Sequence, residues 1–164
     1  MLRRLSLLLV VVLAAAVVPV AEPAAEKKKL ITIKVLSLTR VTIPHDLKPK
    51  GKENRGDYIE FKDLLVTIAP LFGKKENVPV GFDQGTLTYT SAETARLLGL
   101  ATFPGQGTIR FKGPMTPRRD GSNTVPIISG TGKFVRAKGV LIIGPGDQRS
   151  INTFRFTVPA TGVA

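Results

Sequence analysis

The chain predicts an all-β domain, a barrel or sandwich of about seven or eight strands. Three observations carry that prediction. Residues 133–143 alternate at the period of a half-buried strand, with Val135, Ala137, Gly139, Leu141 and Ile143 against Phe134, Arg136 and Lys138. Residues 150–158 do the same, with Phe154, Phe156 and Val158 against Thr153, Arg155 and Thr157. Turn signals stand between such runs at Gly130-Thr131-Gly132, Pro104-Gly105 and Pro145-Gly146, while helical periodicity is almost absent.

The first 21 residues read as a secretory signal peptide. Arg3 and Arg4 form a basic start, residues 5–18 are almost wholly apolar, and small residues follow at Ala14-Ala15-Ala16 and Ala21. The apolar run falls short of the roughly 20 residues that a spanning helix needs, so a cleaved leader is favoured over an anchor and no stable membrane span is expected after cleavage. The expected location is therefore secreted or cell-envelope. Arg3-Arg4 leaves both general secretion and the twin-arginine route open.

Residues 22–29, Glu-Pro-Ala-Ala-Glu-Lys-Lys-Lys, predict a disordered arm, and residues 30–164 the domain. Residues 30–43 are rich in β-branched side chains; Ile31, Ile33 and Val35 share one parity and Leu36 and Leu38 the other, a phase change that predicts a bulge. Pro44 is expected to end this strand, and residues 45–56 to form an exposed loop. A second strand is predicted at 57–66, with Ile59, Phe61, Asp63 and Leu65 facing one way. A third begins with Val78, Val80 and Phe82 and continues with Leu87 and Tyr89 on the other parity, placing a bulge at Gly85.

Residues 91–95 are too few for an independent helix. Residues 96–103 and 106–112 flank Pro104-Gly105 as a hairpin, and 113–123, with two prolines, two arginines and two glycines, predicts the longest flexible loop. Strands at 125–128, 133–143 and 150–158 complete the set. Gln84-Gly85-Thr86-Leu87-Thr88-Tyr89 echoes Gln106-Gly107-Thr108-Ile109-Arg110-Phe111, as repeated hairpins would.

Composition excludes several chemistries. The chain has no cysteine, which removes disulfides, thiol nucleophiles and thiolate metal sites, and its single histidine, His45, cannot build a histidine-based metal or catalytic constellation. Neither a metal nor a cofactor is expected. The 24 basic residues outnumber the 12 acidic ones, and loss of the leader still leaves about +10, so anionic surroundings are favoured. Lys133 is followed by Phe134 rather than Ser or Thr, and the glycine spacing of a phosphate loop is missing, which rejects nucleotide binding.

Gly56-Asp57-Tyr58-Ile59-Glu60-Phe61-Lys62-Asp63-Leu64, Val80-Gly81-Phe82-Asp83-Gln84-Gly85 and Ser129-Gly130-Thr131-Gly132-Lys133-Phe134, with Ala137 and Gly139, together resemble the dirigent and allene oxide cyclase barrel superfamily. The likeness covers roughly residues 31–158, and its strongest element is the turn containing Gly130 and Gly132. The resemblance implies an eight-stranded antiparallel barrel, often a homotrimer, with an apolar cavity used to steer radical coupling or to cyclise a fatty-acid epoxide. The chain departs from it in two places. Asn123 and Thr124 stand where dirigent proteins show an Arg-Glu pair, and the cyclase cysteine has no counterpart.

Three residues are candidate ligand contacts. Asp63 lies on the apolar parity of its strand, where burial would raise its pKa, against the alternative that it satisfies backbone at a strand end or bulge. Asp83, just before Gln84-Gly85, is placed to reach a barrel mouth, and Tyr89 offers a hydroxyl beside apolar walls. The plainer readings are bulge amides for Asp83 and packing for Tyr89. His45-Asp46 offers a proton-transfer pair on paper, but adjacent side chains seldom face each other, so an exposed loop histidine is expected.

Arg110, Lys112, Arg136, Lys138 and Arg155 alternate against apolar neighbours and belong on the outside. Two function classes follow: an exported barrel that binds or guides a small apolar or aromatic molecule, and a noncatalytic cationic protein that holds anionic envelope polymers. An isomerase or cyclase is the third reading, without an identified catalytic constellation. Nucleic acid is the weakest anionic partner, for want of an aromatic stacking platform.

Overall fold

Alternation along the strands sorts side chains between an apolar lumen and water. In the computed structural model, which describes residues 27–46, 54–116, 121–146 and 148–160, the strands are β1 (Lys28–His45), β2 (Tyr58–Thr67), β3 (Pro79–Tyr89), β4 (Ala95–Phe103), β5 (Gly107–Met115), β6 (Asn123–Gly130), β7 (Lys138–Ile143) and β8 (Arg149–Pro159). Each pairs antiparallel with the next, and β1 pairs with β8 to close an eight-stranded barrel. Closure leaves no free edge. The leader at 1–21 and most of the arm at 22–29 lie outside the described residues; β1 begins at Lys28 and so takes in the arm's last two lysines.

The inward rows are Ile33, Val35 and Ser37 on β1, Asp63 and Leu65 on β2, Leu97, Ala101 and Phe103 on β4, Ile109 and Phe111 on β5, and Asn152, Phe154 and Phe156 on β8. One end is capped by aromatic rings. Phe103 stands edge-on to Phe72, Phe134 and Phe154, with centroids 5.5, 5.8 and 5.8 Å away, and Phe134 meets Phe156 at 5.6 Å. At the other end the inward Phe61, Leu87, Met115 and Ile143 are only partly buried. That end is the mouth.

Several boundaries differ from those expected. β1 keeps one phase through Thr39, so Leu36 and Leu38 face outward; its bulge lies between Thr39 and Val41, and the strand runs past Pro44 to His45. In β3 the phase changes at Val80, where Leu65 pairs with Gly81 and Val66 with Pro79, while pairing runs unbroken through Gly85. Burial of Val80 on the far side of the bulge mimicked a continuous alternation with Phe82.

The segment 133–143 is not one strand. Gly132–Phe134 forms a single 3₁₀ turn, and β7 starts only at Lys138. Gly132 takes φ +59, and a Cβ there would meet Gln106 O at 2.5 Å, which is why the turn needs glycine. The turn drives Phe134 into the aromatic cap and leaves Val135 and Arg136 exposed. Gly113 to Met115 belong to β5 rather than to a loop, held by Asn123, whose Oδ1 accepts from Thr116 N at 2.8 Å. The Pro104-Gly105 hairpin forms as expected, with Gly105 at φ +73 and Gln106 N donating to Phe103 O. The internal echo also holds in three dimensions: Gly85, Leu87 and Tyr89 occupy the same facing on β3 as Gly107, Ile109 and Phe111 on β5.

Candidate functional site: a carboxyl pair in the barrel wall

Two aspartates line up as direct cross-strand partners, Asp63 on β2 and Asp83 on β3. Directly opposed residues share a face with Cβ atoms about 5 Å apart. Both point into the lumen, because each shares the parity of its strand's buried row: Leu65 for Asp63, Tyr89 for Asp83. Asp83 is 2% exposed and Asp63 half-buried.

Polar side chains on the flanking strands extend this patch. Ser37 on β1 donates from Oγ to Asp63 Oδ2 at 3.0 Å. Ser150 on β8 pairs with Ser37 across the sheet and donates to Asn152 Oδ1 at 3.1 Å. Four adjacent strands, β8, β1, β2 and β3, therefore carry one polar strip on an otherwise apolar inner wall.

Electrostatics at the pair run against ionisation. Burial pushes the Asp63 carboxyl above its ordinary range, partly offset by hydrogen bonds from Ser37 and Thr39. Asp83 is raised well above that range, first by desolvation and then by the charge of Asp63. Each keeps its Oδ1 shielded from solvent and without a hydrogen-bond partner. All described lysines and arginines are exposed, so no described cation is buried beside the pair. Asp83, raised further than Asp63, holds its proton longer, and a carboxyl that keeps its proton beside one that has lost it presents one donor and one acceptor, the equipment for holding a polar group or moving a proton.

Tyr89 is not part of this arrangement. It lies six residues along β3 from Asp83, about 20 Å away, at the mouth end, where its backbone bonds to Gly56 and Asp57. His45 is the last residue of β1 rather than a loop residue. Its ring stacks on Tyr58 at 4.2 Å and approaches Glu60 at 3.6 Å on the outer face, not Asp46. Asp83 pairs regularly with Ala101, outside any bulge, whereas Asp63 lies mid-strand on β2 opposite Thr39, where the β1 bulge begins. Ser37 and Asn152 escaped the sequence reading, although each continues an inward alternation, Ile33-Val35-Ser37 and Asn152-Phe154-Phe156.

Outside the barrel, Val41, Ile43, Leu98 and Leu100 floor a groove of about 480 Å³ edged by Glu60, Lys62, Gln84 and Arg110. Lys62 Nζ sits 5.1 Å above the Phe82 ring.

The closed eight-stranded barrel is matched in solved structures. A structure titled pyocyanin demethylase superposes with a TM-score of 0.62 at 22% identity, covering 76% of this chain and 99% of that one. The pterocarpan synthase dirigent proteins GePTS1 and PsPTS1 give 0.58 and 0.59 at 18% and 19% identity, covering 80% and 84% of this chain and 90% and 99% of theirs. The chain has the dirigent barrel fold. No protein-family model and no curated protein matches it. At this identity the likeness establishes the dirigent-type architecture, and the chemistry must come from the site.

Proposed function

We propose that the protein is an exported dirigent-type barrel that binds or guides a small apolar or aromatic molecule in its lumen, without a cofactor. One observation carries the reading: a polar strip with unsatisfied, buried carboxyl oxygens is set in an apolar wall below a mouth whose inward side chains are half-open to solvent. Polar groups that cost stability when buried alone are expected where a ligand completes them. The neighbours support the same direction, one titled a demethylase of pyocyanin and two titled synthases of pterocarpan. The apolar leader supports export, and the fold a homotrimeric assembly.

The test is a thermal-shift panel of apolar and aromatic compounds on the purified protein, with sedimentation to give the assembly state. Ligands that raise the melting temperature of the wild type, and do so less for Leu87→Trp, which crowds the mouth, support lumen binding. A panel without any shift overturns it.

A second reading has its own observation. The strands carry eleven exposed lysines and arginines but a single outward acid, Glu60. Such a shell suits anionic envelope polymers, held without catalysis. Retention on an anionic polysaccharide column that collapses between low and physiological salt supports this reading, and salt-insensitive passage overturns it.

A further inference from the structure

The two signs of charge are segregated by the barrel wall. Of the three acids on the strands, Glu60 faces out and Asp63 and Asp83 face in, whereas every strand lysine and arginine is exposed. Interiors normally exclude charge or pair it, and here like is set against like with no described counter-ion. The arrangement does nothing for stability: an apolar pair of similar volume would serve the core better. Its chemistry is that of an incomplete site lacking a positive partner.

Resting on the lumen-binding reading, we infer that the barrel's ligand is an organic monocation, a flat apolar ring system bearing one delocalised positive charge, whose charge lies against Asp63 and Asp83. Three further features fit this class. The Oδ1 atom of Asp83, in an inward-facing side chain 2% exposed, is shielded from solvent and has no hydrogen-bond partner. The inner wall nearby is aromatic, with Phe61 two residues from Asp63 toward the mouth and Phe111 and Phe154 farther in, and ring faces attract cations. Both carboxyls hold their protons more tightly than free ones for want of a positive neighbour, and a bound cation would supply the charge that favours their ionised forms. A carboxylate ligand would instead meet two carboxyl groups and no described cation.

Three probes built on one ring system separate the classes: N-methylacridinium, neutral acridine and acridine-9-carboxylate, titrated calorimetrically into the full protein at pH 8 and physiological salt, where exterior charges are screened. The inference expects N-methylacridinium to bind about tenfold or more tighter than acridine. The carboxylate should not bind. Asp63→Asn and Asp83→Asn should each remove most of that preference, lowering N-methylacridinium affinity by a much larger factor than acridine affinity. Because the chain has no tryptophan, Phe61→Trp supplies a single reporter, which N-methylacridinium should quench whether or not the Asn variants fold. Equal affinity for cation and neutral ring, cation preference surviving in folded Asn variants, or no quenching overturns the inference and leaves neutral lumen binding standing. Failure of all three probes overturns both.

Discussion

Asp63 and Asp83 are opposed across β2 and β3 inside a closed barrel, and Ser37 from β1 bonds to only one of them. This asymmetry assigns unequal roles. Asp63, with hydroxyl donors, is the member that ionises first; Asp83, deeper and facing that charge, holds its proton to higher pH.

Stability should therefore fall as pH rises. Both carboxyls have folded-state values above their unfolded ones, so the native state binds more protons between the two. Their contribution is intact at and below the ordinary carboxylate range and is lost as pH climbs through the raised folded values. Asp83→Asn should flatten this slope and raise the melting temperature at neutral pH by roughly 4 °C, about 1 kcal/mol, with little gain at pH 4. Calorimetric scans of wild type and variant at both pH values check it.

Ser37→Ala removes the hydroxyl that stabilises ionised Asp63. The variant should lose about 1 kcal/mol at neutral pH and less under acid conditions, where the carboxyl no longer needs the donor. Urea titration at two pH values reads the difference, and an equal loss at both would contradict the assigned role.

Gly99 faces the ring of Phe111, and a Cβ built there lies 2.3 Å from its Cε2. Gly99→Ala should destabilise the barrel by about 1–3 kcal/mol through overpacking. Adding Phe111→Leu should recover part of that loss. A double-mutant cycle in denaturant measures the coupling, expected to be at least about 0.5 kcal/mol.

Gly132→Ala combines a positive φ with a clash against Gln106 O, so it should cost about 1–3 kcal/mol and loosen the aromatic cap that Phe134 helps to build. Near-ultraviolet circular dichroism should lose intensity before the far-ultraviolet strand signal does.

Much of this molecule could be read along the chain. Period-2 alternation settled the all-β class and the outward placement of Arg110, Lys112, Lys138 and Arg155, and put Asp63 on the apolar parity of its strand with a bulge or strand end left open, since side-chain direction in a strand is a local property of the backbone. Bulges were harder to place: Val80 and Phe82 both look apolar in sequence, and only pairing with β2 shows where the extra residue falls. The turn at Gly132 was legible as a glycine requirement, but not as the 3₁₀ turn that delays β7 to Lys138.

What the chain alone determined is which residues of an unbroken strand share a face, because that depends on neighbours one or two positions away. Which residues meet was decided by the sheet register, which joins Asp63 to Asp83 and Ser37 while leaving Tyr89 at the mouth and His45 on the outer face. Register is set by pairing between segments that are 20 or more residues apart, and a shift of one position would have sent every one of these side chains to the opposite face.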